Sequence, residues 1–144
     1  MPLANTDPAF DFRKAGFGEI MGFERLEWGT GHAKLACDLK PYHMNPLGIV
    51  HGAVLMALLD VTGWLAGAWV GDPNKRRSAV TASLTSNFVG QAREGRIIST
   101  SKLMREGKTL YYCHTEVHDE AGELLAYGSS SYRIRPPVPA KVAG

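Results

Sequence analysis

Cysteine is scarce in this 144-residue sequence: there are two, Cys37 and Cys113, with no CxxC spacing and both in strand-like runs. That excludes a disulfide framework and a zinc knuckle, and leaves two buried, reduced thiols, which suit a reducing compartment such as the cytoplasm. The opening residues MPLANTDPAF lack a basic flank followed by an apolar core, so no secretory signal is expected. There is no Gly-Lys-Ser/Thr phosphate loop and no serine in a nucleophile-elbow context. Internal repeats and low-complexity segments are also missing. The formal net charge of +2 is too small to argue for nucleic acid. Eight Lys or Arg against three Glu fall between Pro73 and His118, and a solvated strand surface accounts for them slightly better than an anionic partner.

The most telling absence is local. From Pro41 to Gly71 the chain carries one charged residue, Asp60. A carboxylate in an apolar run needs partners, water or a raised pKa, which is the usual condition of a working acid or base. The run from Gly52 to Gly71 has the length of a membrane span. Asp60 at its middle costs about 3 kcal/mol on insertion scales, and Gly52, Gly63, Gly67 and Gly71 dilute it, so a buried core helix is the better reading.

What is present fits one domain with a sizeable core. Asp7-Pro8 and the residues to Gly16 read as a short helix, with Asp7 as cap and Gly16 as stop. Gly22 to Trp28 and Ala33 to Leu39 read as strands joined at Gly29-Thr30-Gly31. A loop from Pro41 to Val50 leads into a helix from about His51 to Val70, closed by Asp72-Pro73-Asn74. Lys75-Arg76-Arg77 then reads as an exposed basic turn. Four strands follow: Ser78 to Val89, Arg96 to Met104, Leu110 to Val117 and Leu124 to Ile134. In the first of these, alternation puts Val80, Ala82, Leu84 and Phe88 on one face and Thr81, Ser83, Thr85 and Asn87 on the other. A helix apolar nearly all round must be buried, and an antiparallel sheet curling round it achieves that. The expected class is α+β: about six antiparallel strands around one long central helix, over residues 21–135. Residues 1–20 form an extension and 136–144 a tail.

The loop and helix start offer His43, Asn45, Gly48, His51 and Gly52. Glycine in the first helical turn leaves backbone N–H groups uncovered at the positive end of the helix, able to polarise a carbonyl oxygen. Asn45 adds a side-chain N–H; equally, Gly48 and Asn45 serve a tight turn by themselves. Asp60 lies eight residues beyond Gly52, or ~12 Å of helix rise. If both groups act on one small centre, a second chain must supply one of them, as antiparallel central helices in a two-fold dimer would.

Asn45-x-x-Gly48-x-x-His51-Gly52, with Asp60 eight residues after the glycine, resembles the motif of the hotdog-fold acyl-CoA thioesterases, most of all the PaaI-type branch. The order of strands and helix is similar to that fold from about Gly22 to Arg135. The resemblance implies an acyl-CoA substrate, no cofactor, and a homodimer with shared active sites or a tetramer of two such dimers. It implies polarisation of the thioester carbonyl by the Gly52 N–H and Asn45, with Asp60 of the opposing subunit as general base or nucleophile. His51 would sit near the departing thiol, and Thr81, or failing it Ser83, would hold the water. The family often has His-Gly-Gly where this chain has His51-Gly52-Ala53. Arg105 and Lys108 flank a turn where related enzymes often meet the nucleotide end, with Arg77 and its neighbours Lys75 and Arg76 as a second option. Met56, Leu59, Trp64 and Trp69 are candidates for an acyl pocket.

Two other readings use the same pocket. An acyl-thioester hydratase or dehydratase would recruit His43 or His51. A non-catalytic acyl-CoA sensor usually adds a DNA-binding segment, for which the first ~20 residues are too short. The histidine spacings favour no catalytic metal.

Overall fold

The inward faces of the strands and a helix that is apolar nearly all round meet in one buried core. The computed structural model describes residues 4–5 and 16–136; the helix expected over Asp7–Gly16 and the tail beyond residue 136 lie outside them. A short helix, α1 (Phe17–Met21), precedes the strands β2 (Phe23–Gly29) and β3 (His32–Asp38). After a 3₁₀ turn at Pro41–His43 comes the central helix α2 (Gly52–Ala68). The strands β5 (Ala79–Phe88), β6 (Arg96–Glu106), β7 (Leu110–His118) and β8 (Leu124–Ile134) follow. These six strands form one antiparallel sheet in the order β2-β3-β6-β7-β8-β5, so β5 is an edge.

The alternation along β7 is clean: Tyr111, Cys113, Thr115 and Val117 are buried against α2 while Tyr112 is exposed. The helix ends at Ala68 because Trp69 turns to extended backbone (φ −65°, ψ 131°) and sets its ring edge-on to Trp28, 5.0 Å away. Among the described residues no helix is long and apolar enough to cross a membrane.

Two of the glycines in α2 exist for the tyrosines beneath it. A Cβ on Gly67 would overlap the Tyr111 ring, and one on Gly63 would overlap the Tyr132 hydroxyl. With those side chains absent, the two tyrosines stack (centroids 5.0 Å apart) and reach the helix backbone. Tyr111 Oη donates to Trp64 O (2.8 Å) and Tyr132 Oη to Asp60 O (2.7 Å). Cys113 Sγ donates to Gly63 O (3.2 Å) and Trp28 Nε1 to Leu65 O (2.7 Å). Below, Thr62 Oγ1 donates to Leu58 O (2.6 Å) and lies 2.8 Å from Ser99 Oγ. The tyrosines, Cys113, Trp28 and the Thr62–Ser99 pair thereby attach helix to sheet through polar groups.

Two expectations need correcting. The basic turn is not exposed throughout: Arg76–Arg77 form a two-residue strand, β4, paired with β1 (Ala4–Asn5). Arg77 is only 7% exposed, ion-paired with Glu106 and lying over the Tyr111 ring. Its planar guanidinium can pack on an aromatic face while its edge meets a carboxylate, which allows burial that lysine would resist. The faces of β5 also differ from simple alternation. A bulge at Ala82 shifts the register between Thr81 and Ser83, so Thr81 pairs with the inward Tyr132 and Ser83 with Ser131. The extra residue moves Thr81 onto the helix side and Val80 off it.

Candidate active site

The loop before α2 closes on itself through Asn45. Its Oδ1 accepts from Leu47 N (2.9 Å) and Ile49 N (3.3 Å), its N–H donates to Ile49 O (2.8 Å), and its carbonyl accepts from Gly48 N (3.0 Å). Two backbone donors on the side-chain oxygen fix the amide's orientation, so the NH₂ end is the part left for another molecule. His51 caps the helix: its exposed ring accepts the Ala53 N–H at Nδ1 (2.9 Å), which leaves the neutral ring's proton on Nε2. The Gly52 N–H makes no hydrogen bond among the described residues. Asn45 and Gly52 together border a cleft of about 420 Å³ whose walls include Leu55, Phe88, Val89 and Gln91.

Asp60 lies two turns along, and the side chain that meets it is Thr81, whose Oγ1 donates to Asp60 Oδ1 (2.7 Å). Partial burial raises the Asp60 carboxyl above its ordinary range, and the Thr81 hydrogen bond opposes that rise. Within one chain, then, the sequence-predicted residues fall into two groups. Asn45, His51 and Gly52 gather at the helix start, and Asp60 with Thr81 gathers near its middle.

The remaining candidates scatter. Arg105 and Lys108 are exposed at the β6–β7 turn, on the same end of the sheet as Thr81, since Tyr111, Tyr132 and Thr81 form one cross-strand row. Arg77 is occupied with Glu106 of that same turn. Leu59 is fully buried in the core, whereas Met56 and Trp64 are partly exposed; Trp64 Nε1 donates to Ala79 O (3.0 Å). His43 is buried at 1% exposure with both ring nitrogens engaged: Nδ1 accepts from Lys40 N (2.9 Å) and Nε2 donates to Met21 O (2.8 Å). That occupancy weighs against a hydratase that would use His43 to carry protons. Burial pushes the Cys37 thiol up to about 11 and the Cys113 thiol up to about 12, the state of inert core thiols. Among the described residues no group of three or more His, Cys, Asp or Glu gathers as a metal site. Tyr132 behind Asp60, and Phe88 and Gln91 at the cleft, carry no motif in the sequence; only the inward alternation of β8 points to Tyr132.

The sequence profile of the Thioesterase superfamily matches residues 47–126, over half the chain, taking in all of α2 and β5. This chain belongs to the thioesterase superfamily. It is a thioester hydrolase built on the hotdog fold. A provisionally named esterase from Saccharolobus solfataricus is 34% identical over 112 residues, covering 77% of this chain and 78% of that one. The medium/long-chain acyl-CoA thioesterase YigI of Salmonella typhimurium is 24% identical over 133 residues, 82% of this chain and 84% of its own. The E. coli PaaI protein from the phenylacetic acid degradation operon shares the fold, with a TM-score of 0.76 at 16% identity over 84% of this chain and 85% of that one.

Proposed function

We propose that this protein hydrolyses acyl-CoA thioesters in a homodimer whose two active sites each combine Asn45, His51 and Gly52 of one subunit with Asp60 and Thr81 of the other. One observation carries this reading. Both groups lie beside the open edge strand β5, at opposite ends: Phe88 lies over Gly52, and Thr81 binds Asp60. Antiparallel pairing of β5 with a second copy about its middle brings the Thr81 end of one subunit to the Phe88 end of the other. It also satisfies an unpaired strand edge.

In such a site the Gly52 N–H and the Asn45 amide hold the thioester oxygen as it gains negative charge. Asp60 either takes a proton from the water that attacks the carbonyl carbon, or attacks that carbon itself and leaves an anhydride for water to open. On the first route the tetrahedral intermediate loses thiolate by C–S cleavage, and the thiolate takes up that proton. On the second, C–S cleavage is the step that forms the anhydride, and the thiolate takes up a proton from the water that opens it. The His51 Nε2–H lies beside the departing sulfur on both. Thioesters need little more, because the carbonyl is electrophilic and thiolate leaves readily. Arg105 and Lys108 meet the phosphates at the nucleotide end, and Met56 and Trp64 border the acyl group.

Release of free CoA from a panel of aromatic and medium- to long-chain acyl-CoAs tests the activity. Gly52→Pro tests the donor. Gly52 is the first residue of α2, where proline is compatible with the backbone, and a Cβ there meets Phe88 only at ordinary contact distance. Loss of that one N–H is expected to lower kcat about 100-fold to 1,000-fold with the fold intact. Undiminished turnover in Gly52→Pro would sink the assignment. Thr81→Val gives a second check. Its hydroxyl favours the ionised Asp60, so its removal raises the Asp60 pKa, and the acidic limb of the kcat/KM profile moves to higher pH. An unmoved limb would separate Thr81 from the base.

A further inference from the structure

We propose that Arg93 is a positioning residue for the carbonyl-polarising half of the site, acting through the loop that carries Asn45; the proposal rests on the thioesterase reading above. Within residues 45–49 the hydrogen bonds of Asn45 use the N–H groups of Leu47, Gly48 and Ile49, as described. The loop's Leu47 and Gly48 carbonyls are not used in that closure. Both accept from Arg93 Nη1, at 3.2 and 3.4 Å. Among the described residues, Arg93 is the side chain from outside the loop that holds it.

The segment bearing Arg93 is fixed to the sheet. Val89 N and Gly90 N both donate to Leu125 O (2.9 and 3.1 Å), and Ala92 is buried at 8% exposure. Ala92 O also accepts from Val50 N (2.8 Å), the residue that leads into His51 and Gly52. One short stretch after β5 thus braces the entry to α2 through its backbone and the Asn45 loop through its guanidinium. The two donors proposed for the oxyanion, the Gly52 N–H and the Asn45 NH₂, are set relative to each other by residues 92 and 93. Leu47 is 75% exposed, so when the guanidinium is lost water can satisfy the carbonyls. Stability should hardly change; what is lost is the angle at which Asn45 meets the substrate oxygen. Donor alignment acts mainly in the transition state, so the deficit belongs in kcat and not in KM.

The test compares wild type, Arg93→Ala, Arg93→Lys, Asn45→Ala and the double variant Arg93→Ala/Asn45→Ala. Measurements are kcat and KM for CoA release, melting temperature, and hydrogen–deuterium exchange of the peptide spanning 45–50. Arg93→Ala is expected to lower kcat about tenfold with KM within about twofold. Its melting temperature should be unchanged and the 45–50 amides should exchange faster. Arg93→Lys, with one ammonium able to reach one carbonyl, should recover part of the loss. In the Asn45→Ala background the Arg93 substitution should add nothing, because it acts through that side chain. Wild-type kcat in Arg93→Ala, or additive losses in the double variant, overturns the proposal. If wild type cleaves no acyl-CoA, the thioesterase reading fails; unchanged 45–50 exchange in Arg93→Ala then overturns the clamp by itself.

Discussion

Asp60→Asn and Asp60→Ala should lower kcat for CoA release by at least about 100-fold, the loss expected when a positioned base or nucleophile is removed. Asp60→Asn should at the same time melt higher than wild type at neutral and alkaline pH. The folded state raises the Asp60 pKa, so it binds that proton more tightly than the unfolded chain does. The stability this supplies is fully present below the ordinary carboxylate pKa and disappears as pH rises through the folded value. Above that value the ionised carboxylate is a partly desolvated charge held by one hydroxyl, and an amide is cheaper to bury there. The melting-temperature gap between Asp60→Asn and wild type should therefore widen from pH 4 to pH 8. A stabilised, inactive variant marks a group retained for chemistry. A folded Asp60→Ala protein with undiminished turnover, or a gap that closes with rising pH, would contradict the account.

The largest loss of stability should come from Gly67→Ala. In a helix interior this exchange ordinarily stabilises by about 1 kcal/mol. Here the sign reverses, because the new methyl overlaps the Tyr111 ring, which stacks on Tyr132 and donates to Trp64 O. Neither ring can retreat without breaking a hydrogen bond to α2, so overpacking by about 2–4 kcal/mol is expected. Denaturant midpoints give the value. A double-mutant cycle with Tyr111→Leu should show that the shortened side chain recovers much of it, whereas Gly71→Ala, in open space, should not share this coupling. If Gly67→Ala is neutral or stabilising, the tyrosine seat is not what holds the helix down.

Most of the architecture was legible because its signals are local. Strand-like runs between short turns marked the four strands after the helix, and the apolar run with Asp60 as its one charge marked α2. Glycine-rich turns set the boundaries to within a residue or two. What escaped depended on contacts distant in sequence. The bulge at Ala82 carries no glycine or proline to announce it, yet it decides that Thr81 faces Asp60. Gly63 and Gly67 read as diluting residues until Tyr132 and Tyr111, respectively 69 and 44 positions away, are placed beneath them. Arg77 in a run of three cations looks solvated, and only Glu106 and the Tyr111 face explain its burial. His43 stands in the same polar loop as His51, but its ring points into the core to Met21 O. At the candidate site itself, the grouping of Asn45 with Gly52 was foreseeable from spacing, as was the distance separating both from Asp60. The Arg93 brace was not, since a lone arginine after a strand has no pattern to betray it.

The claim on which the rest depends is that Gly52 and Asp60 complete each other across two chains. Gly52→Pro and Asp60→Ala, each expected to keep about 1% or less of wild-type turnover as a pure protein, should be mixed under conditions that allow subunit exchange, with the exchange verified by native mass spectrometry. At random reassortment half of the dimers are mixed and each has one intact site, so CoA release should recover to about a quarter of the wild-type rate. Mixed dimers that form but stay as inactive as either parent would contradict the shared site.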